Sequence, residues 1–295
     1  MATLYLFQDQ PTVLLFHAEL DSGTPSKDPQ GGDPSHYATF LKSRPAKWEV
    51  DAIQLITDLQ RQYPSLHCHI VHLSAAEALK IVREAKAAGL KLTAETCFHY
   101  LCLSDADVPV GRPEFKCCPP IRDRHNREQL WEALQDGTVD FVVSDHSPCV
   151  AGLKALERGD FMQAWGGIST LGLGLSLLWT EGKKRGVPLA RVVEWTSANT
   201  AKHAGLAERK GAIREGFDAD FAVFDPAASF EVSNPWAFSA FLTRSKVTKD
   251  VLGFKNKLSP YEGLTLDGRV QTTYVRGQVV WDIENGHREP IGHLI

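Results

Sequence analysis

Short apolar runs alternate with stretches of helical periodicity along the first two thirds of this 295-residue chain. Residues 13–16 form an apolar run that ends at His17, which predicts a buried strand with a polar residue at its carboxyl end. Similar runs predict strands at 68–73, 90–96 and 138–143. Apolar spacing predicts helices over 52–59 and 130–134, and a third that follows a capping-box sequence at 74–77 and ends at Gly89. This alternation indicates a parallel sheet with right-handed crossovers.

The pattern changes after Lys210, where glycines punctuate β-type sequence. We predict strands at 219–224, 270–275 and 278–281, the last two forming a hairpin around Arg276 and Gly277. We therefore expect an α/β region over residues 1–209 and a small β-rich region over 210–295. Residues 21–44, rich in Gly, Pro, Ser and Asp, are expected to form a long loop.

The amino-acid composition excludes some classes of binding partner. With 43% hydrophobic and 23% charged residues the chain is typical of a globular protein, and a net charge of -4 gives no basic field for nucleic acid or an anionic membrane. No apolar run approaches the roughly 20 residues of a membrane span, and the first residues do not resemble a secretory signal. Six irregularly spaced cysteines favour free thiols in a reducing, intracellular compartment.

Three candidate metal ligands follow predicted strands. His17, His72 and Asp145 each stand at the carboxyl end of a strand, which is the face of a (β/α) barrel where active sites assemble. Two imidazoles and one carboxylate suit zinc, and three ligands with one open position are typical of a catalytic site. Taken singly, each has an ordinary alternative: a hydrogen-bonded strand-end histidine, or an aspartate in a turn or cap.

Five segments resemble the cyclic amidohydrolases, in the same order. They are Phe-His-Ala-Glu at 16–19, Val-His-Leu-Ser at 71–74, Glu-Thr-Cys-Phe-His-Tyr at 95–100, Lys-Cys-Cys-Pro-Pro-Ile-Arg-Asp at 116–123 and Ser-Asp-His-Ser-Pro-Cys at 144–149. The last two, with Ala-Trp-Gly-Gly-Ile at 164–168, are similar to allantoinases rather than to dihydropyrimidinases or dihydroorotases. The resemblance runs from about Leu14 to the carboxyl terminus.

This resemblance implies a fold, a reaction and a set of roles. The fold would be the carboxyl-terminal half of a (β/α)8 TIM-type barrel with a small β-rich domain, and the reaction would be hydrolysis of the cyclic amide of allantoin to allantoate. His17 and His72 would bind the second of two zinc ions, and Asp145 would bind the first and act as general base. The substrate pocket would include Cys118, His99, Ser147, Gly166 and Gly167. The family further implies a homotetramer in the cytoplasm, mitochondria or peroxisomes.

Departures from the family pattern limit these expectations. Phe98 replaces the usual proline, and Cys118 stands where serine is common. The family's amino-terminal His-x-His pair and bridging carbamylated lysine have no counterpart here, so the chain resembles an amino-terminally truncated allantoinase. His67 and His69 form a His-x-His sequence, but strand alternation places them opposite His72, facing the surrounding helices.

Three hypotheses remain open from the sequence. The chain is a fragment or alternative start of an active allantoinase, a non-catalytic homologue that acts through assembly, or a degenerating product that folds poorly. Replaced ligands are the mark of the second class. The family's metal ligands that fall within this chain are kept, which favours the first hypothesis.

Overall fold

The computed structural model describes residues 2–7, 10–21, 32–232 and 252–292. Contacts divide the chain into two compact units. The first comprises Met1–Leu171 and Phe254–Pro260, and the second comprises Gly172–Gly253 and Tyr261–Ile295. The domain boundary expected between residues 209 and 210 remains a prediction.

The first unit is built on a four-stranded parallel sheet in the order β1-β2-β3-β4. Its strands are β1 (Val13–Phe16), β2 (His67–Ile70), β3 (Leu92–Cys97) and β4 (Phe141–Val143). Its helices are α1 (Ala2–Phe7), α2 (Tyr37–Ser43), α3 (Lys47–Gln62), α4 (Leu79–Ala87), α5 (Phe98–Cys102) and α6 (Arg124–Gln135). The predicted alternation of strands with helices is therefore confirmed, and four parallel strands correspond to half of an eight-stranded barrel.

Local sequence explains where these helices lie and end. In α3, Ala52, Ile53 and Ile56 recur at helical spacing and are buried. After α4 the chain turns at Gly89, whose φ of 78° is easily reached only without a Cβ. Asp123 caps α6, because its side chain accepts a hydrogen bond from the Asn126 backbone N–H at 2.8 Å.

The predicted capping box at 74–77 is wrong. The Ser74 hydroxyl donates to the Pro120 carbonyl oxygen at 2.6 Å instead of capping a helix. Glu49 Oε2 accepts hydrogen bonds from the backbone N–H groups of Ser74 and Ala75, each at 2.9 Å. A short 3-10 helix, Ala76–Ala78, precedes α4. A buried carboxylate from another helix therefore satisfies donors that a local cap was expected to satisfy.

The second unit joins helices to an antiparallel sheet. Its helices are α7 (Gly174–Lys184), α8 (Leu189–Val193), a π-helical turn (Glu194–Ala198) and α9 (Asn199–His203). Its strands are β5 (Phe221–Glu231), β6 (Thr265–Val275), β7 (Gln278–Asp282) and β8 (Gly286–His287), in that sheet order. The predicted hairpin is confirmed, with Arg276 and Gly277 both at positive φ between β6 and β7.

Side chains on the two faces of the parallel sheet differ in burial. Register pairs Cys68 with Leu92 and Ile70 with Ala94, and all four side chains are buried. The opposite face carries Leu15, which is 61% exposed. We therefore assign the first face to the helices and the second, which is open at Leu15, to the interior of a barrel.

His69 lies on the interior face, so its predicted position facing the helices is wrong. It pairs in register with Leu15 and Thr93, and its Nδ1 is 2.7 Å from Thr93 Oγ1. Its Nε2 is 3.2 Å from Glu95 Oε2. The alternation argument failed because β2 ends at Ile70 and His72 takes a left-handed φ of 41°, which breaks the period of two.

None of the helices in the described part of the chain combines the length and apolarity needed to cross a bilayer.

Candidate active site

The carboxyl ends of the four parallel strands meet at one edge of the sheet. His17 follows β1, His72 follows β2, Cys97 ends β3 and Asp145 follows β4. Parallel strands place these ends together, so the fold itself collects donor side chains that are far apart in sequence.

The two predicted histidine ligands converge. His17 Nδ1 is 3.0 Å from His72 Nε2, and the ring centroids are 4.7 Å apart. His17 Nε2 is 2.8 Å from Glu19 Oε2, and Arg44 donates to the same oxygen. The Glu19 carboxylate thereby orients the His17 ring, as carboxylates commonly do for metal-binding imidazoles.

Burial keeps two histidines of the site neutral. Desolvation, with a smaller contribution from His17, lowers the pKa of His72 to about 4. Desolvation and then His72 lower the pKa of His99 to about 3. Among the described residues neither ring nitrogen of His99 has a hydrogen-bond partner, and His99 is fully buried. Neutral imidazoles at neutral pH present lone pairs that can bind a metal or a ligand.

Asp145 is a carboxylate in a partly dehydrated position. Burial, and secondly the negative charge of Glu95, raise its pKa to about 6, and His17 acts in the opposite direction. Its carboxylate, Cys97 Sγ and a ring nitrogen of His99 all lie within 4.8 Å of one another.

Backbone strain is concentrated at these strand ends. Ala18, His72 and Asp145 have φ values of 53°, 41° and 41°. A left-handed conformation costs a residue with a side chain roughly 1–2 kcal/mol, and such strain persists where the surroundings fix it. After His72, Asn126 Oδ1 accepts the Ala76 N–H and its amide donates to the Ser74 carbonyl, which fixes the loop.

Four of the predicted pocket residues form two close pairs. A Cβ added to Gly166 would stand 2.8 Å from Cys118 Sγ, and one added to Gly167 would stand 2.4 Å from Ser147 Oγ. The Ser147 N–H donates to the Ile168 carbonyl oxygen at 3.0 Å, which joins the two segments. Glycine is therefore required at 167, where the added Cβ would also stand 2.6 Å from the Ser147 carbonyl oxygen, a backbone atom, whereas at 166 the Cys118 side chain would have to shift.

Two buried lysines bind the backbone of the same loops. Lys154 Nζ donates to the carbonyl oxygens of Lys116, Trp165 and Gly167, at 3.1, 3.0 and 2.5 Å. Lys116 Nζ donates to those of Met162 and Ala164. Burial lowers the pKa of Lys154 to about 8.

The donor set fits a metal ion. Two nitrogens bound to one tetrahedral zinc at about 2.0–2.1 Å stand about 3.3 Å apart, close to the 3.0 Å between His17 and His72. Two further observations also favour a metal ion: the ring nitrogens of the buried His99 have no hydrogen-bond partner among the described residues, and the Asp145 carboxylate lies close to this ring. A mixture of imidazole and carboxylate is typical of catalytic zinc.

Sequence reasoning missed Glu19, Cys97 and Lys154. The strand-end rule that selected His17 would also have selected Cys97, because it ends β3. Glu19 lies two residues beyond His17, within the quoted Phe-His-Ala-Glu segment. No signal in the sequence distinguishes Lys154 from a surface lysine.

A parallel sheet with donor side chains at the carboxyl ends of its strands is the arrangement found on the active face of (β/α) barrels, and the family comparison agrees with this class of fold. Residues 53–280 match the model of the amidohydrolase family. The chain belongs to the amidohydrolase family.

Two curated relatives narrow the comparison. The allantoinase of Saccharomyces cerevisiae is 43% identical over 297 aligned residues, which cover 99% of this chain and 60% of that protein. A protein of Aquarana catesbeiana named "Allantoinase, mitochondrial" is 53% identical over 199 residues, covering 68% of this chain and 40% of that protein. The chain thus spans no more than about three fifths of the length of these relatives. The expected resemblance to allantoinases is confirmed.

A solved structure supports the fold. The L-hydantoinase (dihydropyrimidinase) of Arthrobacter aurescens superposes with a TM-score of 0.83 at 26% identity, covering 96% of this chain and 61% of that one. The expected partial barrel with a small β domain is therefore confirmed.

Proposed function

We propose that this chain supplies part of the active site of an allantoinase, which hydrolyses the cyclic amide of allantoin to allantoate. The observation that carries the proposal is the contact of His17 with His72 at the carboxyl ends of the parallel strands, where Asp145 also follows a strand, in a chain similar to allantoinases. Because the chain spans 60% of its Saccharomyces cerevisiae relative, the activity is proposed for a protein with a complete site.

We propose His17, His72 and Asp145 as zinc ligands, in a site that holds two zinc ions when complete. Bound zinc would polarise the scissile carbonyl group and acidify the attacking water. His17 is oriented for this role by Glu19, and His72 by the loop that Asn126 fixes.

Asp145 is the proposed general base. A carboxyl group with a pKa of about 6 is ionised at pH 7 and still basic enough to take a proton from the attacking water. As the carbon–nitrogen bond of the ring breaks, the same carboxyl group returns the proton to the leaving nitrogen.

The paired loops are the proposed substrate pocket. Cys118, Ser147, Gly166 and Gly167 lie where two segments meet without intervening side chains, so their backbone polar groups can approach a small polar ring. His99 is the fifth proposed contact, since its buried ring nitrogens need a partner. A ureido-substituted hydantoin offers matching donors and acceptors.

Compartment and assembly are also proposals. All six cysteines are free, which suits a reducing compartment, and the Aquarana catesbeiana relative is named mitochondrial. We propose an intracellular protein, in the cytoplasm or an organelle, that assembles as a homo-oligomer.

Allantoin hydrolysis tests the function directly. The chain joined to an upstream segment bearing a His-x-His pair and a lysine should hydrolyse allantoin with zinc, whereas residues 1–295 alone should show little activity. Asp145→Asn should lower kcat/KM by at least about 100-fold, the usual contribution of a general base.

A comparison of three substrates tests the proposed specificity. The complete protein should prefer allantoin to dihydrouracil and dihydroorotate when kcat/KM is compared. A preference for dihydrouracil would overturn the substrate assignment. Robust zinc-dependent turnover by residues 1–295, abolished by Asp145→Asn, would show that the ligands present suffice.

A further inference from the structure

Three donors of different chemistry, of which Cys97 and His99 are buried, form a cluster that the sequence did not predict. Cys97 Sγ, a ring nitrogen of His99 and a carboxylate oxygen of Asp145 lie within 4.8 Å of one another. Within the described parts of the chain, this is the group of three or more such side chains close enough to share an ion. Cys97 ends β3, His99 lies in the first turn of α5 and Asp145 follows β4.

His99 gives an independent indication that the cluster has a ligand. The residue has no exposed surface, and no described group hydrogen-bonds to either of its ring nitrogens. Leaving a buried polar atom unsatisfied costs roughly 1–3 kcal/mol. A cation bound to one nitrogen would remove part of that cost, and Cys97, also fully buried, offers the neighbouring donor.

We propose that Cys97, His99 and Asp145 bind one borderline-soft divalent cation such as zinc, cobalt or cadmium. Cys97 binds as the thiolate and releases its proton to the solvent, His99 binds through a neutral nitrogen, and Asp145 binds through a carboxylate oxygen. One coordination position is left for water.

The geometry requires only a small adjustment. Ligand atoms around a tetrahedral zinc stand about 3.3–3.6 Å apart, given bond lengths of about 2.0–2.3 Å. The donors, at most 4.8 Å apart, therefore close on the ion by movements of about 1 Å. Rotation of the half-buried Asp145 side chain supplies much of this, since Cys97 and His99 are packed.

In this site Asp145 shares the cation with Cys97 and His99, two ligands that the family resemblance does not imply. His17 and His72 provide two imidazoles, whereas the cluster provides three donors including a thiolate, which zinc and cobalt bind strongly. The first equivalent of cation should therefore enter the cluster rather than the histidine pair. Its occupancy does not depend on whether the chain hydrolyses allantoin.

Cobalt titration of the chain tests the proposal. Native protein with reduced thiols should bind one equivalent with a near-ultraviolet thiolate-to-cobalt absorption band. Cys97→Ser should abolish the band, and His99→Gln should weaken cobalt binding at least tenfold. The matched control is Cys68→Ser, because Cys68 is an equally buried cysteine that lies in β2 and outside the cluster. It should keep the band, as should His17→Ala.

The outcomes separate clearly. Far-ultraviolet circular dichroism establishes that each variant is folded, and His99→Gln decides the matter if Cys97→Ser unfolds. The proposal fails if native protein binds cobalt without a thiolate band, or if the band survives Cys97→Ser. It also fails if His99→Gln leaves the affinity unchanged, or if His17→Ala removes the band.

Discussion

Lys154 is a buried cation with backbone carbonyls as its hydrogen-bond acceptors. The residue is 3% exposed, and its ammonium group bridges the Lys116 carbonyl to those of Trp165 and Gly167. It thereby joins the segment that contains Cys118 to the segment that contains Gly167. Hydrogen bonds from charged donors contribute more than neutral ones, about 1.5–3 kcal/mol each before the cost of burial.

We expect Lys154→Met to destabilise the chain by about 2–4 kcal/mol at pH 7, because three carbonyl oxygens lose their shared donor. Urea unfolding followed by tryptophan fluorescence measures the change. The control is Lys80→Met, since Lys80 is an exposed residue of α4 that forms an ion pair with Glu84, and it should change stability by less than about 0.5 kcal/mol. Equal effects of the two variants would contradict a joining role for Lys154.

The stability difference between native protein and Lys154→Met should grow with pH. The pKa of Lys154 is lowered to about 8 in the folded chain from 10.5. Below pH 8 both states hold the proton; between about 8 and 10.5 the unfolded state holds more protons, so native stability rises with pH. Unfolding of both proteins at pH 7 and 9.5 checks the sign, and a difference that shrinks would overturn it.

At the residue scale, the sequence predicts which side chains meet but not how the backbone turns. His17, His72 and Asp145 could be selected because parallel strands end together, and the structure places them at one edge. The left-handed turn at His72 has no clear sequence signal, since only a few per cent of residues other than glycine adopt a positive φ, so the face of His69 was wrongly predicted. Burial of Lys154 depends on acceptors distant in sequence.

At the scale of segments, the contact between the loops around Ser147 and Gly167 leaves no space for a side chain. The ideal Cβ of an alanine at 167 would lie 2.6 Å from the Ser147 carbonyl oxygen, which is a backbone atom and cannot rotate away. The Gly167 N–H also donates to the Lys116 carbonyl oxygen at 2.9 Å, so the position is fixed from both sides.

Gly167→Ala should therefore lower the free energy of unfolding by about 1–3 kcal/mol, the usual cost of overpacking. In a complete, active protein it should also lower kcat/KM for allantoin by about 100-fold, because small displacements of positioning segments have such effects. Gly152→Ala is the matched control, since no described atom lies within 4 Å of its added Cβ. If Gly167→Ala were as stable and active as Gly152→Ala, the two loops would not be in the proposed contact.

Elements with strong local signals were predicted well. The strand at Val13–Phe16, the helix ending before Gly89 and the hairpin around Gly277 follow from apolar period and turn residues. Ser74 was misassigned because Glu49, from another helix, reaches its backbone N–H. Long-range partners of this kind override local capping preferences, and a single sequence does not reveal them.

At the scale of the whole molecule, the parallel sheet has unpaired edges. In the described structure β1 pairs only with β2, and β4 lies at the other end of the order. A barrel removes such edges by closing with eight strands, whereas four leave backbone donors and acceptors of β1 free to pair with another chain. Leu15 on the interior face of β1 is 61% exposed, which adds apolar surface at the same edge.

The last prediction is that residues 1–295 associate through this edge. Each large apolar side chain left in water forfeits roughly 1.5–3 kcal/mol, against a domain stability of about 5–15 kcal/mol, so pairing of edges is favoured. Size-exclusion chromatography should show dimers or larger species, and Leu15→Lys should shift them toward monomer because a charge on an edge strand opposes pairing. Leu55→Lys is the matched control, since Leu55 is 48% exposed on α3, away from the edge, and it should leave association unchanged. A native monomer that unfolds cooperatively well above about 50 °C, inside the usual range for mesophile domains, would mean that the exposed edge of β1 does not govern the behaviour of the chain.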